Sequence, residues 1–277
     1  MIRGFMLSFL AFCLWHTTGF AQEWKEEKGD HFIVYYVNAA AKPRDILWKA
    51  EHSYNKIAGD LGYARYSNFW QWENRAKIYV HPSKESFQTM TGQPAWSDGM
   101  ASYLDKSIHT IEGTEGFLNT VLPHEITHLI FRDFVGLESQ TPLWLDEGIA
   151  QWEEDDKRAL ALKIMPVLVR RAEGLTLSRL MSTDIRLETD TKKVQVFYIQ
   201  AISVVDFLVQ TYGSSRFTEF CRGLRDHKRF EEALKEAYAP MLQSLADLEE
   251  RWSAAMLARS HETDMESYKV VFEGEKT

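Results

Sequence analysis

The first part of the chain mixes short apolar runs with amphipathic stretches. Residues 31–37 (HFIVYYV) are rich in β-branched and aromatic side chains, which predicts a strand. Apolar positions recur at helical spacing over 45–61 and Gly62 follows, so a helix is expected there. The same criteria predict strands at 76–80, 101–104 and 107–111, a turn at 105–106, and a short helix from Ser83 to residue 90. Residues 22–114 are therefore expected to form a small α+β lobe.

The pattern becomes helical after about residue 115. Residues 119–134 are apolar at helical spacing, and Thr141 followed by Pro142 predicts an N-cap and the first residue of a helix that reaches Glu154. Helices are also predicted at 156–173 and 194–212, the latter ended by Gly213, with two or three more before residue 261. Residues 115–261 are expected to form a helical lobe and 262–277 a frayed polar tail. The predicted fold class is α+β, with the functional site between the two lobes.

The N-terminal residues have the layout of a secretory signal. Arg3 supplies a positive charge, residues 5–15 are apolar, and small residues lead to a cleavage position after Ala21. This apolar run is shorter than the ~20 residues of a membrane-spanning helix, and we see no second run. We therefore expect residues 1–21 to be removed and the mature protein to be exported, to a periplasm or the medium, without stable membrane insertion.

Composition and charge exclude several classes of protein. Hydrophobic residues make up 45% of the chain and charged residues 26%, which excludes a disordered chain. The net charge is -8, and the longest basic clusters are pairs such as Arg170 and Arg171, so a nucleic-acid partner is not expected. Without the signal the chain keeps one cysteine, Cys221, in an apolar helical context, where a buried structural thiol is expected.

The sequence HEITH at 124–128 is a candidate metal-binding motif. On a helix, residues i and i+4 lie on one face, so His124 and His128 can reach one metal ion, with Glu125 beside them to act on water. Pro123 fits if it lies in the first turn of that helix. The alternative is that both histidines have structural partners on a helix face.

A carboxylate in the segment PLWLDEGIA (142–150) completes a ligand set. Glu147 follows His128 by 19 residues and lies on a separate predicted helix. Two histidines and a glutamate form one of the ligand sets of catalytic zinc. The neighbours of Glu147 are apolar, which makes an unpaired carboxylate costly. The alternative is an exposed acid on a helix face, as expected for Glu153 and Glu154.

The two motifs together resemble the gluzincin metallopeptidases, and in particular the peptidase-MA-like domain. The similarity covers about residues 75–255 and is specific at three motifs. It implies a zincin-like fold with one zinc ion per chain, bound by His124, His128 and Glu147, and a general base at Glu125. The segment FYIQA at 197–201 is similar to the family segment with an aromatic residue before a helix, which implies that Tyr198 donates a hydrogen bond to the oxyanion. The alternative for Tyr198 is a packed aromatic residue.

One motif of the related aminopeptidases is missing. Their G-x-M-E-N segment carries a glutamate that binds the substrate amine, but the corresponding residues 99–103 (GMASY) have none. Aminopeptidase specificity is therefore unsupported, although the strands at 101–111 could still pair with an extended peptide.

Other residues have expected roles around this site. Asp146 and Asp133 are candidates to orient the imidazoles, with solvated surface acids as the alternative. An aromatic set either lines a cleft or packs in the core: Trp70, Trp72, Trp96 and Tyr103. The remaining histidines show no ligand spacing and are expected to be structural or exposed.

The sequence thus predicts an exported zinc metallopeptidase that cleaves a peptide or protein substrate. Two alternatives stay open. One is a non-catalytic binding or scaffold protein that retains the fold, and the other is an amidase that acts on cell-wall peptides. The physiological substrate, the choice between endo- and exopeptidase and the oligomeric state do not follow from the sequence.

Overall fold

The computed structural model describes residues 23–63, 70, 74–93, 99–259 and 264–274. The predicted signal at 1–21 lies outside these residues. The strands are β1 (Lys25–Lys28), β2 (Phe32–Tyr36), β3 (Ala76–His81), β4 (Gly99–Ser102) and β5 (Ser107–Ile111). The first helices are α1 (Pro43–Asp60), α2 (Lys84–Thr91), α3 (Leu122–Val135), α4 (Leu143–Trp152), α5 (Asp155–Arg170) and α6 (Leu177–Ser182). They are followed by α7 (Thr191–Tyr212), α8 (Ser214–Arg225), α9 (Phe230–Tyr238), α10 (Leu245–Ala258) and α11 (Asp264–Phe272).

The strands form one mixed sheet in the order β1-β2-β3-β5-β4. The inner pairs β2–β3 and β3–β5 are parallel, and the outer pairs β1–β2 and β4–β5 are antiparallel. Alternate side chains such as Val34, Ile78 and Ile108 are fully buried on the face that α1 and α3 cover. The metal-motif helix α3 thus packs beside the edge strand β4, and the α+β expectation is confirmed.

The C-terminal part is helical, and α7 lies at its centre. Asp190 caps this helix through the amides of Lys192 and Lys193, and Gly213 follows its last residue as expected. Contrary to the expectation of no second apolar run, α7 is, among the described residues, the one helix that is long and apolar enough to cross a membrane. However, 72% of its most apolar window is buried inside the protein, as in the core helix of a globular domain. Helix α7 packs against α4 and α5, which places it behind the candidate site.

Several element boundaries differ from the sequence prediction. The predicted strand at 101–104 is observed as Gly99–Ser102, because the chain turns at 103–106 with Lys106 in a left-handed conformation. Thr141 is not an N-cap: its hydroxyl lies 2.8 Å from that of Ser139, and Pro142 is the N-cap residue of α4. This helix ends at Trp152 rather than Glu154.

The prediction of a frayed polar tail is wrong for α11. Tyr268 of this helix is 1% exposed, and its hydroxyl donates a hydrogen bond to Glu173. The guanidinium of Arg171 lies 4.9 Å from the centre of the same ring. These contacts attach α11 to the end of α5. Two further elements, β1 and α6, were not predicted at all.

Candidate active site

Helix α3 holds the two motif histidines on one face. A π-helical turn at Phe117–Val121 leads into the helix, and Pro123 lies in its first turn, where its missing amide hydrogen costs nothing. The Thr127 hydroxyl donates to the carbonyl of Pro123 and so stays buried with a partner. The Nε2 atoms of His124 and His128 lie 3.1 Å apart, so both rings point toward the same place.

Glu147 reaches this place from α4. Its Oε2 lies 4.0 Å from the Nε2 of His128, and one ligand atom from each of the three residues lies within 4.8 Å of the others. Gly148 allows this approach, because a Cβ there would lie 2.9 Å from the carbonyl oxygen of Ala201 in α7. The glycine in WLDEGIA therefore permits close helix packing next to the carboxylate.

Each imidazole has a carboxylate on its outer nitrogen. His128 Nδ1 lies 3.0 Å from Asp146, whose other oxygen accepts two hydrogen bonds from Arg132. His124 Nδ1 lies 3.0 Å from Glu154, which also accepts a hydrogen bond from Lys157. Such carboxylate–histidine contacts fix the ring orientation and strengthen the inner nitrogen as a ligand.

The acidic residues around the two imidazoles differ from the sequence prediction in two respects. Asp133 does not contact either imidazole: it accepts hydrogen bonds from Trp70 and from Lys106 instead. Glu153 and Glu154 are not exposed acids, since they are only 5% and 6% exposed. Glu153 bonds to Lys56 of α1, and its pKa is raised to about 7 by burial, although Lys56 opposes the shift. Glu154 lies between α4 and α5, as the N-cap residue of α5, and the acidic run around it gives no local signal of its burial.

The donor set fits a divalent cation. Burial favours the neutral form of His128, yet the hydrogen bond and charge of Asp146, with the charges of Glu147 and Glu125, raise its pKa to about 9. The pKa of Asp146 is lowered despite its burial, so Nδ1 of His128 donates to an ionised acid. If His124 donates to Glu154 in the same way, the two Nε2 lone pairs face each other at 3.1 Å. Only a shared proton or a cation stabilises that arrangement, and two histidines with a glutamate suit zinc.

Glu125 and Tyr198 lie beside these ligands. Glu125 adjoins the ligand His124 in the chain, and its charge contributes to the raised pKa of His128, so its carboxylate lies within electrostatic range of that ring. Tyr198 lies on α7, and burial together with the charge of Glu147 raises its pKa to about 12. Its hydroxyl is therefore a donor at neutral pH.

The structure brings one more aromatic residue to the site. Tyr103, in the turn after β4, contacts the ring of His128 edge-on at 6.4 Å between centroids. Trp70 is fully buried in the core, which agrees with the alternative interpretation for that residue. Trp72 and Trp96 lie outside the described residues.

A second histidine pair, His81 and His109, lies on strands β3 and β5. His81 Nε2 lies 3.0 Å from His109 Nδ1 on the sheet face opposite α1, and both rings are buried. His109 Nε2 lies 3.0 Å from the Ser107 hydroxyl, which donates to Asp105. His81 Nδ1 lies 3.2 Å from the Ser86 hydroxyl. These contacts form one chain of hydrogen bonds from Ser86 through the two imidazoles and Ser107 to the carboxylate of Asp105, and a structural role for the pair stays a prediction.

The remaining histidines and the cysteine add no second ligand group among the described residues. His31 pairs with Glu51, and His52 stacks on Trp48. Cys221 is buried as expected, and burial raises the pKa of its thiol to about 12, so it stays protonated. The described part of the chain thus has one group that could hold a metal, His124, His128 and Glu147.

Comparison with protein families agrees with this geometry. The family model of the peptidase MA superfamily matches residues 69–258, which is more than half of the chain. The chain belongs to the peptidase MA superfamily. A comparison with curated proteins found no match.

Proposed function

We propose that the protein is a zinc-dependent metallopeptidase. The single observation that carries this proposal is the convergence of His124, His128 and Glu147 within 4.8 Å, with a carboxylate behind each imidazole. The superfamily match supports a peptidase, and the ligand set is one that catalytic zinc uses. One zinc ion per chain is expected.

The residues around the ligands have the chemistry of amide hydrolysis. Bound zinc supplies Lewis-acid chemistry, which polarises a carbonyl and acidifies water. Glu125 takes the proton of the attacking water and passes it to the leaving amine. Tyr198 donates its hydroxyl hydrogen to the oxygen on which negative charge develops. Asp146 and Glu154 hold the imidazoles in position.

The test combines metal content with cleavage of an unstructured protein. We expect one zinc per chain, cleavage that a chelator abolishes and added zinc restores, and zinc binding without cleavage in Glu125→Gln. Glu250→Gln, on the exposed side of α10, is the matched control and should keep full activity. Cleavage that persists after complete metal removal would reject the proposal.

The same experiment separates the alternatives. Zinc binding without hydrolysis of proteins or cell-wall peptides would identify a non-catalytic binding protein. Hydrolysis of cell-wall peptides alone would identify an amidase with a narrow substrate.

We also propose that the protein is exported. The support is the charged, apolar and small-residue layout of residues 1–21. Mass spectrometry of the protein purified from its native host should find a chain that starts at residue 22. An intact N-terminus in the cytoplasm would contradict this.

A further inference from the structure

A cavity of about 420 Å³ lies between α1, the turn that precedes α3 and the start of α5. Its volume is within the ~300–1,000 Å³ of pockets that hold a small ligand. One face of α1, from Lys49 to Ile57, forms the first wall, and the acidic run at 153–156 lies across from it with Asn119 and Thr120. None of the lining residues is a candidate metal ligand, so the cavity is separate from the ligand set of the candidate metal site.

The wall is polar and carries charges of both signs. Three lysines and four acidic residues line the cavity, and two of the lysines are paired with acids of the same wall. Lys56 lies 2.7 Å from Glu153, and Lys157 lies 2.9 Å from Glu154. A charged ligand would have to compete with these ion pairs, whereas hydroxyl groups can donate and accept hydrogen bonds without breaking them. The wall therefore favours a neutral ligand with several hydroxyls.

The cavity also offers polar groups that a ligand can use. Asn119 and Thr120 are exposed, so an amide and a hydroxyl are open to solvent at the wall. Glu153 is 5% exposed, and its Oε1 is a buried oxygen with no hydrogen-bond partner in the described part of the chain. Because buried polar atoms nearly always have a partner, this carboxylate points to a donor from outside the protein.

An exposed tryptophan lies at the rim of this cavity. Trp48 is 68% exposed, and its ring is parallel to that of His52, which lines the cavity. The two ring centroids are 5.4 Å apart and the planes differ by 6°. The negative face of an aromatic ring attracts C–H groups, which carry partial positive charge. A flat aromatic surface beside polar groups thus suits a ring with C–H groups on its faces and hydroxyls at its edge, as in a sugar.

We propose that this cavity and the Trp48–His52 pair bind a neutral sugar unit of an oligosaccharide. The sugar ring packs on Trp48, and its hydroxyls bond to Asn119 and to the acidic residues of the wall. The inference does not depend on bound zinc or on peptide cleavage, so it stands or falls separately from the proposed function.

Isothermal titration calorimetry of the purified protein tests the assignment with three probes: a tetramer of N-acetylglucosamine, a tetramer of glucose, and alanine as a small zwitterion. At least one tetramer should bind saturably, and alanine should not. Trp48→Ala should raise the Kd of that tetramer by about tenfold, whereas Trp48→Phe, which keeps a flat ring, should raise it by about twofold at most. Asn119→Ala should raise it by about fivefold, since a hydrogen bond is lost.

The matched controls remove similar side chains away from the wall. Asn55→Ala changes an exposed asparagine of α1 that does not line the cavity, and Leu257→Ala changes a leucine of α10 that is 49% exposed. Both should leave the Kd unchanged. A weaker affinity in Trp48→Ala or Asn119→Ala, with none in the controls, would support the site. Absence of binding by both tetramers, tighter binding of alanine, or a Kd that Trp48→Ala and Asn119→Ala leave unchanged would overturn it.

Discussion

Two histidine pairs in this protein have nearly the same separation and opposite surroundings. The Nε2 atoms of His124 and His128 lie 3.1 Å apart, and His81 Nε2 lies 3.0 Å from His109 Nδ1. In the first pair the outer nitrogens contact carboxylates, and a third carboxylate, Glu147, lies close by. In the second pair the outer nitrogens contact hydroxyls.

The difference shows that the partners of an imidazole, rather than its distance from another imidazole, decide its chemistry. Carboxylates outweigh the effect of burial at His128 and raise its pKa to about 9. At His81 burial is the larger cause and the charge of His109 adds to it, so the pKa falls to about 4. The first pair thus favours a positive charge between its rings, and the second favours two neutral rings.

The largest expected effect is the loss of the third ligand. Glu147→Gln should lower zinc affinity by more than the ~10–100-fold typical of an outer partner, because a direct ligand is removed. His81→Gln should leave the affinity unchanged. The measurement is zinc content after dialysis against a competing chelator. Equal zinc retention by the wild type and Glu147→Gln would remove Glu147 from the site.

We expect the carboxylates of Asp146 and Glu154 to contribute less to zinc affinity than the direct ligand Glu147. They should contribute more than the hydroxyl groups that contact the His81–His109 pair. Asp146→Asn and Glu154→Gln should each weaken zinc binding by about 10–100-fold, since the imidazole loses its orienting acceptor. Ser107→Ala, which removes the corresponding partner of His109, should not change it. Competition with a chromophoric chelator measures all three. A loss of zinc affinity in Ser107→Ala would show that the two pairs are coupled.

The inner site could be predicted from the sequence, and its outer partners only in part. His124, His128 and Glu147 follow from helical spacing and two local motifs. Asp146 adjoins a ligand and was a candidate, whereas Glu154 stands in the acidic run EEDD and resembles a solvated surface. Its partners are His124 of α3 and Lys157 of α5, and neighbouring Glu153 bonds to Lys56 of α1, so this acidic run lies where several helices meet. Such long-range packing leaves no periodic signal in the chain.

The secondary structure likewise could be predicted only where the local sequence carries the pattern. Strand β2 and the core helix α7 were predicted because their own residues carry the pattern. Strand β1 has the sequence KEEK and is a strand because it pairs with β2, which is common for charged edge strands. Helix α11 is held by the burial of Tyr268 against α5, and nothing in the local sequence predicts that contact.

The hydroxyl contacts of the second pair should contribute to stability rather than to metal binding. Ser107→Ala leaves the buried Nε2 of His109 without its acceptor, so the free energy of unfolding should fall by about 1–3 kcal/mol. Ser215→Ala, at an exposed position in α8, is the control and should change it by less than ~0.5 kcal/mol. Urea unfolding of the metal-free protein measures both. A change no larger than that of the control would mean that water replaces the hydroxyl.

The smallest expected effect is the pH dependence that His81 gives to the free energy of unfolding. The folded pKa of His81 is about 4, below the ~6.5 of an unfolded histidine, so the unfolded chain takes up the proton first. The stabilisation is therefore complete above pH 6.5 and is lost as the pH falls toward 4. Between pH 7.5 and 5 the loss should be about 1–2 kcal/mol. Urea unfolding of metal-free wild type and His81→Gln at both pH values measures the contribution of His81 together with its effect on His109, because the remaining titrating groups are common to both proteins. The variant should have a shallower pH dependence, and equal slopes would mean that His81 titrates as it does in the unfolded chain.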